Sequence, residues 1–189
     1  MPLRALEPLT HPADLFAAGV QDSPATRWWV FQTRPRAEKA CGQLLARRGT
    51  SYFLPMCVRR WRSKGRSFAS QLPLFPGYLF VRGDDTARAA AFATNLVVRE
   101  VPAPAQELLA RQLAGVHAVL AGGDDPRPET GMSAGQPVRV VDGPYAGVEG
   151  RFVANGDDDL RVVVEVSLLG QGVSVAVERW MVRPLGEAG

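Results

Sequence analysis

The texture of the chain changes near Asp124. Before that point, apolar runs with strand periodicity alternate with segments of helical periodicity. After it come short valine-rich runs separated by glycine-containing turns. The break predicts two small domains within the 189 residues. The chain is too short for a barrel enzyme of roughly 250 residues. No apolar stretch approaches the roughly 20 residues of a membrane-spanning helix.

In the first part, residues 28–31 (Trp-Trp-Val-Phe), closed by Arg34-Pro35, read as a buried strand. Across 36–48, Ala37, Ala40, Cys41, Leu44 and Leu45 follow one helix face, and Gly49 supplies the stop. Cys41 belongs to the buried side, where a small apolar side chain fits. Residues 52–56 form a second strand. Residues 58–61 and 68–72 flank Ser63-Lys64-Gly65-Arg66 as a hairpin with a basic turn. A strand over 77–81 precedes a helix over 86–93 capped by Asp84 or Asp85. After a strand at 97–101, a helix from Pro104 carries Leu108, Leu109, Leu113, Val116 and Leu120 as its stripe. Residues 1–26 show no period and are an extension, with at most a short helical piece at 14–16.

The first domain is therefore expected over 27–122 and a polar, proline-bearing, semi-rigid linker over 123–131. Short strands at 138–141, 148–153, 160–166, 173–177 and 180–182 then predict a small β-barrel over 132–186, with Val138, Val140, Val162, Val164 and Val166 in its core.

Charge is distributed unevenly. Between Arg27 and Arg82 lie twelve Lys and Arg against one acid, Glu38, although the whole chain carries only +3. The remainder is acidic. This asymmetry suggests a basic face for a polyanion joined to an acidic module; the alternative is a set of solvated charges that maintain solubility. Cys41 and Cys57 stand alone, as do His11 and His117, so neither a structural disulfide nor a metal site is expected. There is no nucleophile–base pair and no phosphate-binding loop, and the expected protein is not an enzyme and uses no cofactor. The start, Met1 to Glu7, lacks a basic cluster followed by an apolar run, so a cytoplasmic protein is expected.

Three segments of the first part resemble the NusG N-terminal domain: Trp28-Trp29-Val30-Phe31 leading to Arg34-Pro35-Arg36-Ala37-Glu38, then Tyr52-Phe53-Leu54-Pro55, then Pro73-Leu74-Phe75-Pro76-Gly77-Tyr78-Leu79-Phe80-Val81. Residues 135–150, with Asp142-Gly143-Pro144-Tyr145 at their centre, look like a KOW domain. Pro-Leu-Phe-Pro followed by Tyr-Leu-Phe-Val is closer to the specialised, RfaH-like members of the NusG family. The resemblance implies an α+β chain: a ferredoxin-like α/β sandwich followed by an SH3-like β-barrel. It also implies a transcription elongation and antitermination factor that binds the clamp helices of RNA polymerase and reduces pausing. Non-template DNA or nascent RNA would be a further partner. A small-subunit ribosomal protein or Rho would meet the KOW domain. The competing reading is a ribosome-associated or general RNA-binding protein of KOW type, which calls for a basic barrel. Residues 130–189 hold five Arg against eight acids, which does not fit that reading.

The residues divide accordingly. Tyr78 and Phe80 alternate with Leu79 and Val81, so the two pairs face opposite ways. The resemblance assigns Tyr78 and Phe80 to the polymerase pocket, with Phe75 at its rim and Trp29 near the contact; core filling is the other reading of these rings. Arg34, Arg36 and Lys39 are expected to meet nucleic acid. So are Arg59, Arg60, Trp61, Arg62, Lys64 and Arg66 of the hairpin, where Trp61 could stack on a base or pack on the domain beneath. Tyr145 sits at a loop tip and either meets a KOW partner or is structural. RfaH-like members carry a polar His/Thr run where this chain has Ala89-Ala90-Ala91, which lacks those hydrogen-bonding groups. RfaH-like members can hold the KOW region as helices, whereas the valine-rich runs here favour strands. A monomer is expected, with no membrane partner.

Overall fold

The computed structural model describes residues 10–17, 24–63, 65–122, 127–130, 135–154 and 160–185, with the backbone alone at 59–63, 67, 128–130 and 154. The chain divides into two compact units, residues 1–106 and 107–189.

The first unit is built on β1 (Thr10–His11), β2 (Arg27–Thr33), α1 (Glu38–Arg47), β3 (Ser51–Phe53), β6 (Tyr78–Gly83), α2 (Asp85–Phe92) and β7 (Val97–Val101). Between β3 and β6 stand β4 (Met56–Ser63) and β5 (Arg66–Pro73), which pair with each other in a separate two-stranded sheet, the expected hairpin. The main sheet is antiparallel in the order β1-β3-β6-β2-β7. Without β1, this is the ferredoxin-like order that the resemblance implied.

Local chemistry sets the helix ends. Asp84 accepts from the backbone N–H groups of Thr86 and Ala87 at 2.9 and 3.2 Å, so of the two candidate caps it is the one used. Helix α1 has Glu38 in its first turn and Arg47 in its last, which suits the helix dipole. Its buried residues are Glu38, Cys41, Gly42 and Leu45. That is the expected spacing, but it starts one residue later than the apolar pattern suggested. Ala40 is exposed.

One face of the main sheet packs under α1 and α2. Trp29, Phe31, Tyr52, Leu54, Leu79 and Val81 meet Cys41, Leu45 and Ala91 there. Residues 14–16 are not helical. They lie in a turn in which the Leu15 N–H donates to the Pro12 carbonyl at 3.2 Å, and the residues before them form β1 on the free edge of β3.

Helix α3 (Gln106–Gly122) begins after a four-residue connection from the end of β7. The Gln106 side chain accepts from the Trp28 N–H at 2.7 Å and donates to the Trp28 carbonyl at 2.9 Å, so an amide side chain extends the ladder past the end of β7. Leu108, placed in the apolar stripe by sequence, is exposed. Leu109, Leu113, Val116 and Val119 are buried.

The second unit contains most of α3 and β8 (Arg127–Thr130), β9 (Gln136–Val140), β10 (Glu149–Ala154), β11 (Leu160–Val166), β12 (Gln171–Ala176) and β13 (Val182–Pro184). The strands form one antiparallel sheet in the order β13-β9-β10-β11-β12-β8. Val138, Val140, Val162, Val164 and Val166 are buried, as expected, and so is Val163 between two of them. Two expectations shift. Residues 127–130 of the expected linker are strand β8, where Pro128 is tolerated because the strand lies at a sheet edge. Trp180, expected in a strand, lies in a 3-10 turn (Arg179–Met181) and is exposed. Helix α3 approaches the strands through small residues: a Cβ on Gly115 would lie 3.0 Å from Val164 Cγ1. The side chain of Gln112 donates to Ser167 Oγ at 2.6 Å and accepts from the Ser167 N–H at 3.2 Å.

Candidate functional site

Strand register fixes which side chains share the second face of the main sheet. Trp28 pairs with Arg82, Val30 with Phe80, Gln32 with Tyr78, and Phe53 with Phe80. This set is opposite to Leu79, Val81, Trp29 and Phe31, which lie under the helices. Tyr78 and Phe80 therefore project away from α1 and α2. Phe75 joins them from the loop, its ring 5.8 Å from Phe80 at 83°. Phe53 and Phe80 lie 6.2 Å apart, and Phe16 sets its ring edge-on to Phe53 at 5.0 Å and stacked on Trp28 at 5.6 Å. The result is a continuous group of rings. Phe75 and Phe80 are buried within it, at 1% and 0% exposure, rather than displayed in an open notch, and Tyr78 is half-buried at its rim.

The loop that delivers Phe75 is braced. The Tyr78 N–H donates to the Phe75 carbonyl at 3.1 Å, closing a turn with Pro76 and Gly77 at its centre. Gly77 has φ +84°, the left-handed value that this turn position demands and glycine supplies. Its N–H donates to Glu38 Oε1 at 2.7 Å, and its carbonyl accepts from the Thr33 N–H at 2.8 Å. Glu38 is itself buried, so a carboxylate in α1 fixes the backbone behind Phe75. In the sequence Glu38 stands out as the one acid between Arg27 and Arg82 and as the end of the Arg34-Pro35-Arg36-Ala37-Glu38 segment, and neither feature points to a brace.

Trp29 does not join the other three expected contact residues. Alternation along β2 turns it under the helices, where its Nε1–H donates to the Gly83 carbonyl at 2.9 Å and the guanidinium groups of Arg27 and Arg88 lie 4.5 and 5.5 Å from its ring. Its neighbour Trp28 occupies the ring face instead. Trp28 and Phe53 were missed as members of that face, although the alternation Trp28/Trp29 contained the choice.

The basic residues separate into exposed and tethered groups. Arg34 and Arg36 are exposed in the turn between β2 and α1. The Ala37 N–H donates to the Arg34 carbonyl at 3.1 Å, and Arg36 takes φ +62°. An arginine therefore holds a position that favours glycine, a local cost that the surrounding structure sustains. Lys39 is committed elsewhere, its Nζ donating to the Gln71 carbonyl at 3.0 Å at the base of the hairpin. Arg66 is exposed at the start of β5, and Val58, Phe68 and Leu72 are exposed apolar residues of the hairpin. The side chains of Arg59, Arg60, Trp61 and Arg62, and all of Lys64, lie outside the described residues. Register sets Trp61 opposite Phe68 and Arg59 opposite Ser70 along the hairpin backbone.

In the second unit Tyr145 is buried, not presented at a loop tip. A Cβ on Gly122 would lie 2.3 Å from Tyr145 Cε1, so only glycine lets the end of α3 meet this ring. Cys41 and Cys57 are free thiols, and burial raises both pKa values by disfavouring the thiolate. Among the described residues no group of three or more His, Cys, Asp or Glu could hold a metal ion, and no helix is long and apolar enough to cross a membrane.

Comparison with known proteins gives the family. The chain is 29% identical over 124 residues to the transcription termination/antitermination protein NusG of Pseudomonas aeruginosa, a match covering 60% of this chain and 68% of the relative. Among solved structures it matches NusG of Thermotoga maritima, whose structure concerns domain interaction, at 19% identity and a TM-score of 0.45, covering 85% of this chain and 98% of that one. It also matches a chain of the MjSpt4:Spt5 complex in conformation A at 16% identity and a TM-score of 0.27, covering 84% and 98%. A family model described as transcription termination factor nusG matches residues 26–128. That span is more than half of the chain and includes every strand of the ring-bearing sheet except β1, so the chain belongs to the NusG family of transcription termination and antitermination factors.

Proposed function

We propose that the protein binds RNA polymerase at its clamp helices during elongation, suppresses pausing and promotes antitermination of particular operons, as the specialised RfaH-like members do. The observation that carries this reading is the ring group of the second face, with Phe75 on a braced turn and Tyr78 at the accessible rim. Aromatic anchors bury large area while freezing few torsions, which suits a helix-tip partner. Arg34, Arg36 and the hairpin residues around Arg66 would contact non-template DNA or nascent RNA, by phosphate contact and by paired hydrogen bonds to guanine edges. Lys39 would act indirectly, through its hold on the hairpin base. The second unit would take a small-subunit ribosomal protein or Rho. The protein would act as a cytoplasmic monomer.

The test is in vitro transcription through pause and terminator sites by polymerase with the wild-type protein, with Tyr78→Ala and with Phe75→Ala, after circular dichroism has established that each variant is folded. Shorter pauses and more read-through with wild type, and loss of both with the variants, are expected. Unchanged read-through with wild type on every template, including its own leader, contradicts the proposal.

A further inference from the structure

The segment 10–17 lies outside the residues matched to the family model, yet it touches the ring group directly. Among the described residues its hold on the sheet is short. Two residues pair with β3, Thr10 with Phe53 and His11 with Tyr52, and the His11 ring stacks on Tyr52 at 6.1 Å. Leu15 is buried and Phe16 half-buried, and Arg82 Nη1 donates to the Leu15 carbonyl at 3.0 Å. Three bonds are internal to the segment: Thr10 Oγ1 to the Ala13 carbonyl at 3.3 Å, the Leu15 N–H to Pro12, and the Ala17 N–H to the Asp14 carbonyl at 2.8 Å. The segment is therefore a pre-formed turn seated by the Phe16 ring on Trp28 and Phe53 and by the Leu15 carbonyl on Arg82, with the Leu15 side chain buried. By contrast, β2 and β6 pair over six residue pairs. Among the described residues, few ladder bonds and one half-buried ring are the attributes of a region that opens locally without global unfolding.

The seat has a second attribute. Phe53 links it to Phe80, and Phe80 to Phe75, so uncovering it exposes apolar rings continuous with the face that meets polymerase in the function proposed above. Bare rings favour being covered, either by this segment or by a partner. We propose that the Trp28–Phe53–Arg82 seat is a binding groove for a short peptide bearing a Leu-Phe pair, and that the chain's own residues 10–17 occupy it in cis as a displaceable cover competing with polymerase. The inference rests on the polymerase reading for its competitor, and on the geometry of the seat for its occupant. A partner that binds only the uncovered form shifts the population toward it, and weakening the cover raises that partner's apparent affinity.

The test uses the full chain carrying Leu15→Ala and Phe16→Ala together, and a milder variant with Phe16→Ala alone. A labelled peptide spanning residues 8–18 is titrated in trans by fluorescence anisotropy, and affinity for polymerase is measured in parallel. The double variant is expected to bind the peptide when wild type does not, and to bind polymerase about tenfold more tightly, with the peptide reversing the gain. Phe16→Ala is expected to shift polymerase affinity in the same direction by about threefold. A folded double variant that takes up no peptide, or that binds polymerase no more tightly than wild type does, overturns the proposal. So does failure of both variants to fold, which would make the segment part of the core. If no form binds polymerase, the functional reading fails, and peptide uptake alone then decides whether the groove exists.

Discussion

The two faces of the main sheet are both apolar, but they are closed by different means. The face bearing Trp29, Phe31, Leu79 and Val81 lies under two helices that contribute Cys41, Leu45 and Ala91. Those helices are internally hydrogen-bonded elements that form cooperatively. Across the sheet, rings from β2, β3 and β6 meet one ring from a turn and one from the segment that follows a two-residue strand. Similar burial therefore carries different resistance to opening. A face closed by helices is a foundation; a face closed by a turn and a short extension can exchange its cover for a partner.

This contrast is tested first at Phe31, which is fully buried under α2 with its ring 5.5 Å from Phe92. Phe31→Ala should destabilise the protein by about 3–5 kcal/mol in denaturant titration. A loss below about 1 kcal/mol would show that the helix face is not the foundation. Glu38→Ala should cost about 1–3 kcal/mol by leaving the Gly77 N–H without its acceptor, and Glu38→Gln, which keeps an acceptor oxygen, should cost less. Equal losses would show that the brace does not act through that bond. Asp84→Ala should cost about 1 kcal/mol through loss of the α2 cap, with no change in hydrogen exchange of the Gly77 amide. Faster Gly77 exchange would mean that the two faces are not independent.

The smallest effect carries the opposite sign. Arg36→Gly should raise stability by about 0.5–1 kcal/mol, because glycine takes φ +62° without the steric cost. The same change should weaken binding to single-stranded DNA and flatten its salt dependence. A gain in stability with unchanged DNA binding would assign the strained arginine no part in nucleic-acid contact.

What the sequence made legible follows from how local each determinant is. Helices α1 and α2 were readable from Gly49, Asp84 and the helical spacing around Cys41 and Leu45, which all act within a few residues. The hairpin was readable from Gly65 between two strand-like runs. The assignment of faces was not, because Tyr78, Leu79, Phe80 and Val81 are all apolar and period two divides them without saying which half meets the helices. Register with β2 and β3, set by residues far along the chain, makes that decision. The same limit placed Trp29 beside Tyr78 and Phe80 when Trp28 is the residue that shares their side. Strand β1 consists of two residues with no period of their own, and it exists because β3 offers an edge. Strand β8 was hidden by Pro128, a residue that excludes interior strands but not edges.

The proposed function requires that polymerase meet the second face of the sheet. The most direct test replaces Tyr78 with a photo-crosslinking phenylalanine analogue and, as a control, places the same analogue at Arg47, an exposed residue in the last turn of α1. Irradiation of an engaged elongation complex should yield an adduct from position 78 mapping to the clamp helices, and none there from position 47. Adducts at the clamp helices from position 47 alone, or from neither position in a complex that retains the protein, would contradict that requirement.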